Sequence, residues 1–103
     1  MPLPTKIVRR AARQIAEAWE WWQANRTAAP EALEEELRRG LALIAQQPDI
    51  GARARNAKLE GVRRIYLSRI HYYLYYRVRP SCEVVEVLAF WHASRGSGPN
   101  LSV

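Results

Sequence analysis

Cysteine is almost missing from this chain: Cys82 is alone among 103 residues, which excludes an internal disulfide. With only His71 and His92 beside it, there is no obvious zinc site either. Glycine is sparse, five residues in all, and none belongs to a glycine-rich loop that would cradle a phosphate. Lysine is nearly absent as well, since Lys6 and Lys58 are the only two among sixteen basic residues. No apolar run approaches the ~18 residues that a membrane-spanning helix requires. Lys6, Arg9, Arg10 and Arg13 precede any long apolar stretch, unlike the start of a secretory signal. There is no Ser/His/Asp pattern, no carboxylate pair at a credible site and no metal-ligand cluster. The expectation is one cytoplasmic domain over residues 1–103, with no cofactor, no metal and no membrane partner.

What is present is an ordinary globular balance, 49% hydrophobic and 25% charged. Sixteen Lys and Arg against ten Asp and Glu leave a net charge of +6. Arginine suits planar, bidentate contacts with phosphate or carboxylate, although a G+C-rich coding sequence gives the same bias. The charge predicts an anionic partner, either a nucleic acid or an acidic protein. The apolar content is generous for so small a core and predicts that the isolated chain self-associates or is hard to keep soluble.

The pattern divides the chain into a helical half and a strand half. Residues 5–10 read as a short leading strand carrying Ile7 and Val8. Over residues 11–26, Ile15, Trp19 and Trp22 fall at i, i+4 and i+7, with Ala12, Ala16 and Ala18 beside them, which is the stripe of an amphipathic helix. Pro30 then suits a first helical position, Glu31, Glu34, Glu35 and Glu36 suit the positive end of a helix dipole, and Leu33, Leu37, Leu41 and Ile44 continue at helical spacing. Glu34 with Arg38 and Glu35 with Arg39 are expected to pair on the outer face. Pro48 ends this helix, and the short link at residues 27–29 implies an antiparallel helical hairpin.

Residues 49–60 read as a connector. Three β-rich runs follow, at residues 62–67, 70–79 and 83–92, joined by Ser68 and Arg69 and then by Pro80, Ser81 and Cys82. Residues 93–99 read as a loop or frayed tail. The resulting order is β-α-α-β-β-β, an α+β fold in which the helical hairpin covers one face of a small antiparallel sheet.

In the middle run, alternation puts Ile70, Tyr72, Leu74, Tyr76 and Val78 on one face and His71, Tyr73, Tyr75, Arg77 and Arg79 on the other. If the first set meets the helices, the second is a row of rings and guanidinium groups. Such a row either grips a single strand or an acidic peptide, or packs across strands to stabilise a thin sheet. Arg64 shares parity with Tyr66 and belongs to the same open face. The last run is apolar on both parities, so its orientation stays open. Trp21 lies off the helix stripe and should be partly exposed, either as a protein contact or lying along its own helix. His92 with Arg95 three residues on offers an acid/base and an anion clamp, but a His–Arg spacing alone has little specificity.

The order of elements, the hairpin ending in Leu43-x4-Pro48-x2-Gly51, the strand Tyr75-Tyr76-Arg77-Val78, and the closing Val84-Val85-Glu86-Val87-Leu88 running into Trp91-His92-x2-Arg95 together resemble the RelE/ParE superfamily of type II toxins. The resemblance covers nearly the whole chain. It implies a cytoplasmic toxin neutralised by an antitoxin whose C-terminal segment lies on it. One branch of the superfamily cleaves mRNA in the ribosome with basic residues and a terminal Tyr or His; the matching positions here are Arg64, Tyr66, Tyr73, His92 and Arg95, without lysine. The other branch, similar to ParE, has a long helical hairpin and a closing His-x-x-Arg-like end and poisons DNA gyrase. The two long helices favour that branch, with Arg77, Trp91, His92 and Arg95 expected to act on the target and Trp21, Tyr73 and Tyr75 expected to meet the antitoxin. The alternative is a ribosome-dependent mRNA interferase using His92, Arg64 and Arg95. A third possibility is a relative that keeps only its antitoxin complex.

Overall fold

The computed structural model of the chain describes residues 2–54, 58–79, 81–96, 98–99 and 101. Two helices, α1 (Arg9–Asn25) and α2 (Ala32–Gln46), lie on one face of a five-stranded sheet. The strands are β1 (Thr5–Ile7), β2 (Ala52–Arg53), β3 (Arg63–Leu67), β4 (Tyr72–Arg79) and β5 (Val84–His92), in the order β1-β5-β4-β3-β2. The strand β1 runs parallel to β5, and all other pairs are antiparallel. The α+β class and helical hairpin are as expected, with one strand more. The two-residue β2 arises inside the expected connector, where Ala52 and Arg53 have little strand propensity and pair only because β3 offers an edge. Residues 55–57 of that connector, Pro80 of the second link and Ser97 of the tail lie outside the described residues.

The face that α1 buries is narrower than its sequence stripe. Ala11, Ala18 and Trp22 are buried and Ile15 packs beside them, spaced at four, three and four residues. Trp19, expected on this stripe, is instead 40% exposed. It sits one residue beyond Ala18, about 100° round the helix, and the small alanines let α1 lie close on the sheet. The Trp22 indole N–H donates to the Ala29 carbonyl at 2.7 Å and fixes the turn between the helices. Trp22→Phe keeps the ring but removes this bond, and is expected to lower unfolding free energy by about 1 kcal/mol in urea denaturation.

In α2, Pro30 is not the first helical residue. The helix begins at Ala32, and the Pro30 carbonyl accepts from the Gln23 side chain at 2.9 Å. Leu33 and Ile44 are buried, with Leu37 and Leu41 packed against the same core. Gly40 allows α2 to approach β3, because a Cβ there would lie 3.0 Å from Leu67 Cδ2. Glu34 pairs with Arg38 as expected. Arg39, however, pairs with the buried Glu36 at 3.1 Å, while Glu35 reaches Arg69 at 3.2 Å. Leaving Glu36 unpaired in the interior would cost more than an exposed Glu35 contact gains.

The turn between β3 and β4 is longer than expected. Ile70, read as a strand residue, is 1% exposed beneath the turn, and His71 closes it in the left-handed region at φ 61°. Alternation along β4 holds. Tyr72, Leu74, Tyr76 and Val78 face the helices, and Tyr73 and Tyr75 face away. The strand β5 changes its alternation partway. Tyr75 opposes Ala89 while Tyr76 opposes Val87, so Leu88 is an extra residue, a β-bulge. Val85, Val87 and Phe90 therefore join the helix-side core, and both Leu88 and Ala89 lie on the other face.

That second face is not fully open. Val62 and Leu101 pack on Tyr75 and Leu88, with Leu59 and Ala54 alongside. Tyr75 is consequently only 4% exposed.

Candidate functional site

Cross-strand register brings the expected site residues to one end of the sheet. Tyr73 opposes Trp91 and Tyr66 opposes Tyr73 on the outer face; Tyr72 opposes His92 on the helix side. Arg64 belongs to the outer face, and its guanidinium lies 4.1 Å from the centre of the Tyr73 ring. It also donates to the Tyr75 hydroxyl at 3.2 Å. Arg63, of opposite parity, turns to the inner side and donates to the Gly51 carbonyl at 2.7 Å. On the loop after β5, Arg95 stacks over Trp91 at 4.2 Å. Arg64, Tyr73, Trp91 and Arg95 line a cleft of about 380 Å³, and no described residue lining it is acidic.

His92 stands where this cleft turns toward α1. Its ring meets Tyr72 edge-on, with centroids 4.9 Å apart. Trp21, 46% exposed, lines a second hollow with Tyr72, His92 and Arg95. Arg26 lies 5.3 Å from the Trp21 ring. Thus Trp21 and Tyr73, read from sequence as one group, and Trp91, His92 and Arg95, read as another, form one continuous surface.

Arg77 does not join them. It faces its register partner Glu86, with Nε 2.9 Å from the carboxylate, and both are largely buried. The expected row of free guanidinium groups is interrupted here because Glu86 neutralises Arg77. Their ion pair instead borders a separate groove with Val8, Leu59 and Leu101. Sequence reasoning missed Tyr72 and Arg26 as site residues. Strand alternation puts Tyr72 wholly in the core, and Arg26 follows the end of α1, where helical spacing gives no direction.

The protonation state of His92 follows from its neighbours. The Ser94 backbone N–H donates to Nδ1 at 3.1 Å, and the Ser94 hydroxyl lies 2.6 Å from the same atom. A backbone N–H can only donate, so Nδ1 carries a lone pair and the neutral ring holds its proton on Nε2. Burial, followed by the positive charges of His71, Arg95 and Arg26, pushes the His92 pKa below its ordinary value. The outcome expected from NMR titration is a His92 midpoint below the ordinary value of about 6.5. The unfolded chain takes up this proton at higher pH than the folded one, so His92 makes stability fall as pH drops below about 6.5 toward the folded midpoint. That contribution should disappear from the pH profile of His92→Gln, measured by chemical denaturation.

Residues 6–96 match the sequence pattern of the ParE toxin family of type II toxin-antitoxin systems, parDE. The chain belongs to this family. Its fold is shared with the chromosomal ParDE system of P. aeruginosa, at TM-score 0.70 and 19% identity over 89% of this chain and 97% of that one. It is similar also to the RelBE2 toxin-antitoxin complex of Mycobacterium tuberculosis, at TM-score 0.63 and 19% identity, covering 89% of this chain and 99% of that chain. The isolated E. coli RelE toxin gives TM-score 0.60 and 22% identity, over 92% of this chain and 88% of that chain. No curated protein matches significantly in sequence.

Proposed function

We propose that this ParE-family toxin acts in the cytoplasm by binding and inhibiting DNA gyrase, without catalytic turnover, and is neutralised by a cognate antitoxin. The observation carrying this reading is the match to the ParE pattern over residues 6–96. Target contact is assigned to Trp91, His92 and Arg95, which share one end of the sheet. Arg77 is left out of this set because Glu86 occupies its guanidinium. The antitoxin is assigned to Trp21 and Tyr73, whose rings remain partly accessible; Tyr75, its ring 6.2 Å from that of Tyr73, is buried with Val62 and Leu101.

The state of His92 agrees with a binding role. A general base needs a free lone pair facing the proton it removes. Here the Nδ1 lone pair is held by Ser94, and Nε2 already bears a proton. The acid-free cleft between Arg64 and Arg95 favours a second reading, mRNA cleavage at the ribosome. A supercoiling and cleavage assay with purified gyrase separates the two. The expected result is inhibition with accumulated cleaved DNA, reversed by the antitoxin. No effect from folded protein, together with cut transcripts after induction, would establish the second reading instead.

A further inference from the structure

The site carries more than a protein-contact surface. Its two guanidinium groups, Arg64 and Arg95, are each stacked on a ring, 4.1 Å from Tyr73 and 4.2 Å from Trp91. Stacking orients a guanidinium plane while leaving N–H groups at its edge for an oxygen anion. Around the corner of the sheet, the surface continues past His92 to Trp21, with Arg26 over that indole. Cation, ring and cation therefore alternate along one band, and neither the cleft nor the Trp21 hollow with His92 and Ser94 is lined by a described carboxylate. Among the described residues, one carboxylate, Glu17 on the α1 side, borders the adjoining hollow.

We propose that this band, from Arg64 across Arg95 to Trp21, binds single-stranded DNA, with phosphates on the ring-stacked arginines and a base against the exposed Trp21 ring. Flat neutral groups joined by regularly spaced negative charges are what such an alternation complements, and a net charge of +6 favours their approach. Duplex DNA keeps its bases stacked on one another and has no ring faces to offer. The choice of DNA over RNA rests on the gyrase reading, since a cleaved topoisomerase complex is where DNA strands are opened. Binding itself rests on the geometry.

The test is fluorescence anisotropy of the full chain with a labelled oligothymidylate of about 15 nucleotides, run beside an oligouridylate and a duplex of equal length. Three phosphate contacts predict that log affinity falls with log salt at a slope of about −2. Arg64→Gln should weaken binding about tenfold and make the slope shallower by about 0.7. Trp21→Ala, at an exposed position, should weaken binding about tenfold through lost stacking. Arg38→Gln removes the same charge from the outer face of α2 and should leave affinity unchanged. Equal loss in Arg38→Gln and Arg64→Gln, or duplex bound as tightly as single strand, overturns the proposal because diffuse charge then explains the binding. Failure of folded protein to bind any strand overturns it while leaving gyrase inhibition standing. A tenfold preference for oligouridylate overturns the assignment to DNA and counts against the gyrase reading as well.

Discussion

Replacing Trp91 and Arg95 together with alanine is expected to abolish growth inhibition and to raise the concentration needed to inhibit gyrase about 100-fold. Arg95 sits on the loop after β5 and holds its guanidinium over the Trp91 ring. The same arginine lines the outer cleft and the Trp21 hollow. Removing both members takes away the ring, the charge and the element joining the two hollows. Arg95→Gln is the companion variant, since an exposed loop position has little to do with folding. It should lose most of the inhibition while its urea midpoint stays that of the parent. Full growth arrest by a folded double variant would remove this end of the sheet from target contact.

Tyr76→Phe is expected to destabilise the fold by about 2 kcal/mol. The Tyr76 side chain is fully buried. Its hydroxyl donates to the Pro48 carbonyl at 2.7 Å and accepts the Gly51 N–H at 2.9 Å. Burial raises its pKa, so the neutral phenol that can serve both partners persists across the physiological range. Losing the oxygen leaves a buried N–H and a carbonyl without their partner. Gly51→Ala attacks the same junction from the other side, since its Cβ would stand 2.6 Å from the Tyr76 hydroxyl and 2.9 Å from the Arg64 carbonyl. That variant should lose about 3 kcal/mol. In the double variant the missing hydroxyl relieves the closest contact, so the two losses should sum to about 1 kcal/mol more than is observed. Strict additivity in denaturant titrations would show that the junction does not act as a unit.

Those parts of the molecule governed by local periodicity were legible in the sequence. The stripe of α2 and the alternation of β4 follow from residue type and spacing alone, and alternation along β4 and β3 puts Tyr73 and Arg64 on the face away from the helices. Features that depend on a remote partner were not. The orientation of β5 turns on one extra residue, Leu88, visible only against the register of β4. The pairing of Arg77 depends on Glu86, which that register places opposite it. Tyr75 became an interior residue because Val62 and Leu101 pack onto the outer face, and nothing in the pattern of β4 announces a second layer. Trp19 was misplaced because a tryptophan at helical spacing outweighs an alanine in any hydrophobic stripe, whereas the close approach of α1 to the sheet selects the alanines. The residues of the site were mostly visible one by one. Their merger into a single surface required the knowledge that Tyr73 and Trp91 are opposite each other, with His92 on the reverse side.

The placement of β5 also bears on how the protein comes into being. It follows the other described strands in the chain, yet it lies between β1 and β4 and beneath α1, and Thr5 finds its partner only at Val85. Without β5, α1 lacks the strand it packs on, β1 has no neighbour, and Trp91, His92 and Arg95 are missing from the surface. The strands β2, β3 and β4 can pair among themselves beforehand, but the sheet closes only when β5 joins β1 to β4, a pairing of residues remote in sequence. The surface carrying Trp91, His92 and Arg95 is complete only once β5 lies between β1 and β4.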